Sequence, residues 1–170
     1  MLRFLFPRLT ADAKRGAELF AWVTGEARAP HWFLAGEVPD SIDGRFAMLT
    51  TIAALAMARL ERDGESGNST SAALTERFVE AMEAEHRELG LGDPTLGRTV
   101  RKLVGALARR VELWRSVLAQ DDWRQAVRGS VYGPARPSDS ALGHTASALR
   151  ALWTRLESSP LAAIADGRIE

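Results

Sequence analysis

Val38-Pro39-Asp40-Ser41-Ile42-Asp43-Gly44-Arg45-Phe46-Ala47-Met48-Leu49, together with the apolar run that continues to Leu60, decides the fold of this 170-residue chain. Ser41 is placed to cap a helix, because its hydroxyl can accept from the backbone N–H of Asp43 or Gly44. Asp43 sets negative charge in the first turn, where the helix dipole favours it. Between Phe46 and Ala58 the only polar residues are Thr50 and Thr51. A helix that is apolar on nearly every face is one that its neighbours enclose. The run falls short of the ~20 residues that cross a bilayer. Charge returns at Arg59, Glu61, Arg62 and Asp63, and Gly64 breaks the pattern. Ile42–Leu60 is therefore read as a central, buried helix.

On the N-terminal side, Thr10 can cap a helix that begins at Ala11, turns Leu19, Phe20 and Val23 inward and finishes near Gly25. The preceding arm, residues 1–9, carries Leu2, Phe4, Leu5 and Phe6. Such an arm either folds back on the core or touches a membrane surface or an apolar client. Pro30 suits the first position of a short helical turn bearing His31, Trp32 and Phe33 and ending before Gly36. Trp32 and Phe33 either bury against the central helix or line an apolar groove.

On the C-terminal side, Asp63 to Ser71 is rich in Gly and Ser, poor in apolar residues, and reads as an exposed loop. The next helix starts at Thr70 or Ser71, with Leu74, Phe78, Val79, Met82 and Leu89 inward and Glu76, Glu80, Glu83 and Glu85 outward. Gly90 and Gly92 make a tight turn. From Arg98 to Leu118 a stripe of Val100, Leu103, Val104, Leu107, Val111, Trp114 and Leu118 has helical spacing. Asp121 or Asp122 caps a short helix with Trp123, Ala126 and Val127, stopped by Gly129. Ser138 opens the last long helix, with Leu142, Leu149, Leu152, Trp153 and Leu156 inward until Pro160, and the tail beyond is expected to fray. No alternation of strand length and no solenoid-like repeat occurs. The expectation is an all-α, single-domain bundle of about six or seven helices around Ile42–Leu60. Residues 1–9 form its arm, 10–158 its body and 159–170 its tail.

Lys plus Arg and Asp plus Glu both number 22, and there is no cysteine. The molecule as a whole is not drawn to nucleic acid, DNA is not an expected partner, and thiol catalysis, thiolate metal sites and disulfides are excluded. Met1 to Pro7 lacks the features of a secretory signal, so a cytoplasmic location is expected. Catalytic arrangements are not evident. His31, His86 and His144 are far apart in sequence and show no i, i+4 pairing for zinc, so neither a metal nor a cofactor is expected. No G-x-S-x-G elbow occurs. Gly90-Leu91-Gly92 lacks the lysine and the preceding strand of a phosphate loop. Glu80 with Glu83, and Glu85 with Glu88, are read as solvated helix faces.

The informative electrostatic feature is local. Arg98, Arg101, Lys102, Arg109, Arg110 and Arg115 lie off the apolar stripe of one helix, opposed only by Glu112. Such a face either meets an acidic partner or is a solubilising surface paired with the acidic helix before it.

Three blocks resemble the ubiquinol-cytochrome c chaperone family. The first is His31-Trp32-Phe33, Val38 through Phe46 and Met48-Leu49. The second is Phe78 through Met82 and Glu83 to Asp93, including Arg87, Glu88, Gly90 and Gly92. The third is Gly97-Arg98-Thr99-Val100-Arg101-Lys102, and a weaker match runs from Ala126 to Tyr132. Ser41, Glu83 and His86 depart from the residues usual at their positions. The resemblance implies a non-enzymatic assembly chaperone that holds newly made cytochrome b during biogenesis of respiratory complex III. It also implies a small companion subunit and closeness to the ribosome, at the cytoplasmic face of the inner membrane if the arm makes peripheral membrane contact. Arg98, Arg101, Lys102, Arg109, Arg110, Trp32 and Phe33 are then the candidate binding residues. Pro39, Asp40, Asp43, Gly44, Arg45, Phe46, Arg87, Glu88, Gly90, Gly92, Asp93 and Gly97 are signature residues, with Arg45 reaching back to Asp40 or across to Glu88. Readings of other classes are a helical carrier or enzyme binding a small molecule or haem, and a general RNA- or membrane-surface-binding domain.

Overall fold

The computed structural model describes residues 15–88 and 93–170, with side chains for all of these except 93 and 94. The arm, Thr10, Ala11, Leu89 and the turn expected at Gly90 and Gly92 lie outside the described residues. The helices are α1 (Ala17–Ala27), α2 (Pro30–Leu34), α3 (Ile42–Leu60), α4 (Gly64–Glu88), α5 (Asp93–Gln120), α6 (Trp123–Val127), α7 (Asp139–Ser158) and α8 (Leu161–Ala165). Among the described residues there is no strand, so the all-α expectation holds.

α3 is the axis, with the bounds its sequence implies. Ser41 Oγ accepts from the Gly44 N–H at 3.2 Å, and every residue from Thr50 to Leu60 is buried. α1, α4, α5 and α7 pack around it, which is why apolar side chains can point in all directions without meeting water. Thr50 returns its hydroxyl to the Phe46 carbonyl at 2.8 Å, the bond a mid-helix threonine uses when no water is present. The facing helices supply the expected stripes: Leu74, Phe78 and Met82 from α4, Val100, Leu107, Val111 and Trp114 from α5, and Leu142, Leu149, Leu152, Trp153 and Leu156 from α7 are buried. Ser138 caps α7, its Oγ accepting from the Ala141 N–H at 3.2 Å.

Five local expectations are corrected. The first helix does not run on from Ala11: Arg15 and Gly16 form a turn, with Gly16 at φ 79°, and α1 opens at Ala17. Asp122 stands at the N-cap of α6 without a capping side-chain hydrogen bond, and the Asp121 carboxylate accepts from the Trp123 indole and from Arg150 instead. Asp63 to Ser71 is not a loop: a single 3₁₀ turn at Glu61–Asp63 leads through Gly64, at φ 60°, directly into α4. The reason is contact between backbones. A Cβ at Gly67 would stand 1.8 Å from the Leu60 carbonyl oxygen, so the first turns of α4 press on the end of α3 with no side chain between them. Gly129 does not stop α6, because a π-helical turn carries the chain on from Arg128 to Tyr132. The tail does not fray, because α8 and the residues after it bury Ile164 and Ile169, and Arg155 Nη2 donates to the Ile169 carbonyl at 3.0 Å.

Arg59, where charge returns to the α3 sequence, is buried. Its Nε donates to the Leu156 carbonyl at 3.0 Å and its Nη2 to the Ser159 carbonyl at 2.9 Å, while Nη1 meets Asp63. A cation thus closes the C-terminal end of α7, where carbonyls lack helical partners and the dipole is negative.

Candidate functional site

The signature segment between α2 and α3 is a folded corner. A Cβ at Gly44 would lie 1.9 Å from the Pro39 carbonyl oxygen, so only glycine lets the first turn of α3 close on the incoming chain. Arg45 Nε meets Asp40 Oδ1 at 2.6 Å, the nearer of the two partners its sequence position offered, and that carboxylate's hydrogen bond raises the arginine's pKa. The same guanidinium lies over the Phe33 ring, 5.7 Å from its centroid. Trp32 is buried, and its indole N–H donates to the Glu26 carbonyl at 2.7 Å, which places it in the core. Phe33 is half-buried. Around this corner Leu34 and Ile42 are 77% and 82% exposed, the largest exposures of any bulky apolar side chain among the described residues.

The basic helix separates into two groups. At the ~100° per residue of an α-helix, Arg98, Arg101, Lys102 and Arg109 fall within an arc of about 100°. All four are exposed and have no carboxylate partner among the described residues. Arg110 turns away from them. Its guanidinium donates to Thr50 Oγ1 at 2.6 Å and to the Ser130 carbonyl, and burial lowers its pKa. Arg110 therefore ties α5 to α3 and to the π-turn. Arg115 is neutralised by Glu61 and Glu112, and the hydrogen bond to Glu61 is the main cause of its raised pKa.

Of the remaining signature residues, Pro39 and Phe46 are half-buried, Asp43 sits exposed in the first turn of α3, and Arg87 and Glu88 are exposed at the end of α4. Gly97 has open space where a side chain would stand. Gly90 and Gly92 lie outside the described residues, and Asp93 begins α5.

One grouping escaped the sequence. His31 and His144 are 113 positions apart, yet Nδ1 of the first and Nε2 of the second are 3.1 Å from each other. Beside them Tyr132 bridges Thr145, at 2.8 Å, and the carbonyl of Gly36, and its burial raises its pKa. Glu37 accepts from the N–H and the hydroxyl of Ser138, each at 2.8 Å, and these bonds lower its pKa. α2 and the α2–α3 connection are thus fastened to the start of α7 at three points, through His31, Gly36 and Glu37. His86 is elsewhere, its Nδ1 2.8 Å from the Met82 carbonyl. No local sequence signal announces a pairing across such a separation.

Two open hollows of about 340 Å³ each lie between α6 and α7 around Trp123 and Arg150, and between the end of α3 and α5 around Arg62 and Arg115. Neither includes the histidines or the exposed basic quartet. Among the described residues no helix is long and apolar enough to cross a membrane, and no three His, Cys, Asp or Glu converge as metal donors.

Comparison with known proteins matches residues 35–170 to the family described as Ubiquinol-cytochrome C chaperone. The crystal structure of the Cbp3 homolog from Brucella abortus has the same fold: the TM-score is 0.78 at 22% identity, over 100% of this chain and 96% of that one. A search of curated proteins gives no match.

Proposed function

This chain belongs to the ubiquinol-cytochrome C chaperone family, and from that premise we propose that it is an assembly chaperone that holds newly made cytochrome b during biogenesis of respiratory complex III, without catalysis. The observation that carries this reading is the family match itself, which runs from the α2–α3 corner through the basic helix to the last residue. Two surface features support it. Leu34, next to Phe33 in the chain, and Ile42, the first residue of α3, present apolar side chains of the kind that an unassembled membrane protein can cover. Arg98, Arg101, Lys102 and Arg109, without a carboxylate partner among the described residues, present exposed positive charge to acidic segments of the client, or to ribosomal RNA as the client emerges, where phosphate neutralisation releases counterions. Trp32 and Arg110 hold these faces in place from within. A small companion subunit and peripheral contact with the cytoplasmic face of the inner membrane belong to the same proposal.

The test is deletion of the gene followed by spectroscopy of b-type and c-type cytochromes. Loss of the complex III signals is the expected outcome, and normal complex III content would overturn the reading.

A further inference from the structure

His31 and His144 meet with their ring planes at 73° and their centroids 5.3 Å apart, while the facing nitrogens are 3.1 Å apart. The centroid separation exceeds the nitrogen separation by about two ring radii, so both nitrogens lie near the line that joins the rings. That is a head-on contact, in which the N–H of one neutral imidazole donates into the lone pair of the other. A cation chelated by both would stand off that line, ~2.0–2.1 Å from each nitrogen, and the rings would have to turn to reach it.

We propose that His31 and His144 form an acid-sensitive latch, an N–H···N bond that persists while the pair carries no more than one extra proton and opens when both rings are protonated, loosening the Trp32–Val38 segment from α7. With one added proton the contact is an imidazolium donating to an imidazole, which strengthens it. With two, both facing nitrogens are donors, no acceptor remains, and like charges stand in contact. Burial first and His144 second hold the His31 pKa below its ordinary 6.5, while Glu26 of α1 acts in the opposite direction. Glu26 is itself engaged by Arg155 of α7, 3.1 Å away, which blunts that support. The other fastenings of the segment do not titrate in the same range: Tyr132 is raised further above it and Glu37 is lowered further below it. Opening is therefore confined to the neighbourhood of His31. Trp32 follows at once in the chain, and its ring is 4.1 Å from that of His31, so a buried apolar side chain is freed beside Phe33 and the exposed Leu34.

The experiment is hydrogen–deuterium exchange of the full-length protein at about pH 7.5 and about pH 5, which bracket histidine titration, corrected for intrinsic exchange. Protection of Trp32–Val38 is expected to fall by about tenfold on acidification. In His144→Gln, whose amide reaches as far as the ring nitrogen without titrating, protection should be the same at both values. Unchanged protection in the natural protein, or an equal loss in His144→Gln, would overturn the latch. Should that variant fail to fold, the imidazole nitrogen resonances of the natural protein decide. A hydrogen-bonded tautomer pair at neutral pH that vanishes in acid is expected, and two independently titrating rings would overturn the proposal. Titration with Zn²⁺ alone closes the remaining route, because a stoichiometric complex that His31→Gln abolishes would replace the latch with a metal site.

Discussion

At the scale of single residues, stability rests on places where a side chain, or its absence, serves the backbone. Arg59 closes the carbonyls of Leu156 and Ser159 and meets Asp63 from a buried position. Arg59→Leu leaves those acceptors unpaired, and since hydrogen bonds to charged groups contribute ~1.5–3 kcal/mol each while removal of a buried charge offsets part of the loss, a net cost of about 2–4 kcal/mol is expected in urea denaturation. Gly67→Ala raises helix propensity by ~1 kcal/mol, yet drives a Cβ to 1.8 Å from the Leu60 oxygen. Clash wins, and destabilisation beyond about 2 kcal/mol is expected by the same measurement. Neither role was legible beforehand, because both depend on which backbone lies opposite, and spacing along one chain does not report that. The Ser41 cap and the Asp40–Arg45 pair were legible, since each joins residues within a few positions.

At the scale of elements, what could be read followed the hydrophobic pattern. α3 came out at its observed bounds because capping, apolar content and the return of charge agree there. The first turns of α4 are polar and glycine-bearing and carry no such pattern, so they resembled a loop. α8 is a single turn attached by only a few apolar residues. Deleting residues 161–170 removes Ile164 and Ile169 from the core, and at ~1.5–3 kcal/mol per buried side chain the loss should approach about 3–6 kcal/mol, visible as a lower melting temperature in circular dichroism. The junction of α2 with α7 predicts a pH response of the global fold. The unfolded chain binds a proton at His31 near 6.5 whereas the folded one resists the proton that would charge both rings of the pair, so stability falls once the pH drops far enough below that value for the second proton to bind. His31→Gln should flatten this part of the profile, measured as urea midpoints between about pH 7.5 and about pH 5.5.

At the scale of the whole molecule, neutrality conceals separation: α5 presents a basic quartet with no carboxylate partner among the described residues, on a chain whose positive and negative charges are equal in number. Composition could not show this, but helical spacing did, apart from Arg110, whose inward turn depends on Thr50 and the π-turn, and Arg115, which Glu61 and Glu112 neutralise. Reversing Arg98, Arg101, Lys102 and Arg109 to Glu together should leave the melting temperature within about 2 °C, since exposed charges contribute little to folding. On the proposed function, co-purification of cytochrome b at low salt should then be lost, and its retention would remove the quartet from the binding surface. Trp114 and Trp123 bring α5 and α6 together with indole centroids 5.3 Å apart and planes tilted by 52°. Chromophores that close and that skewed share their excited states, so the native protein should show an exciton couplet in its ultraviolet dichroism. Its collapse would give a label-free optical signal that the bundle has opened, even while the individual helices persist.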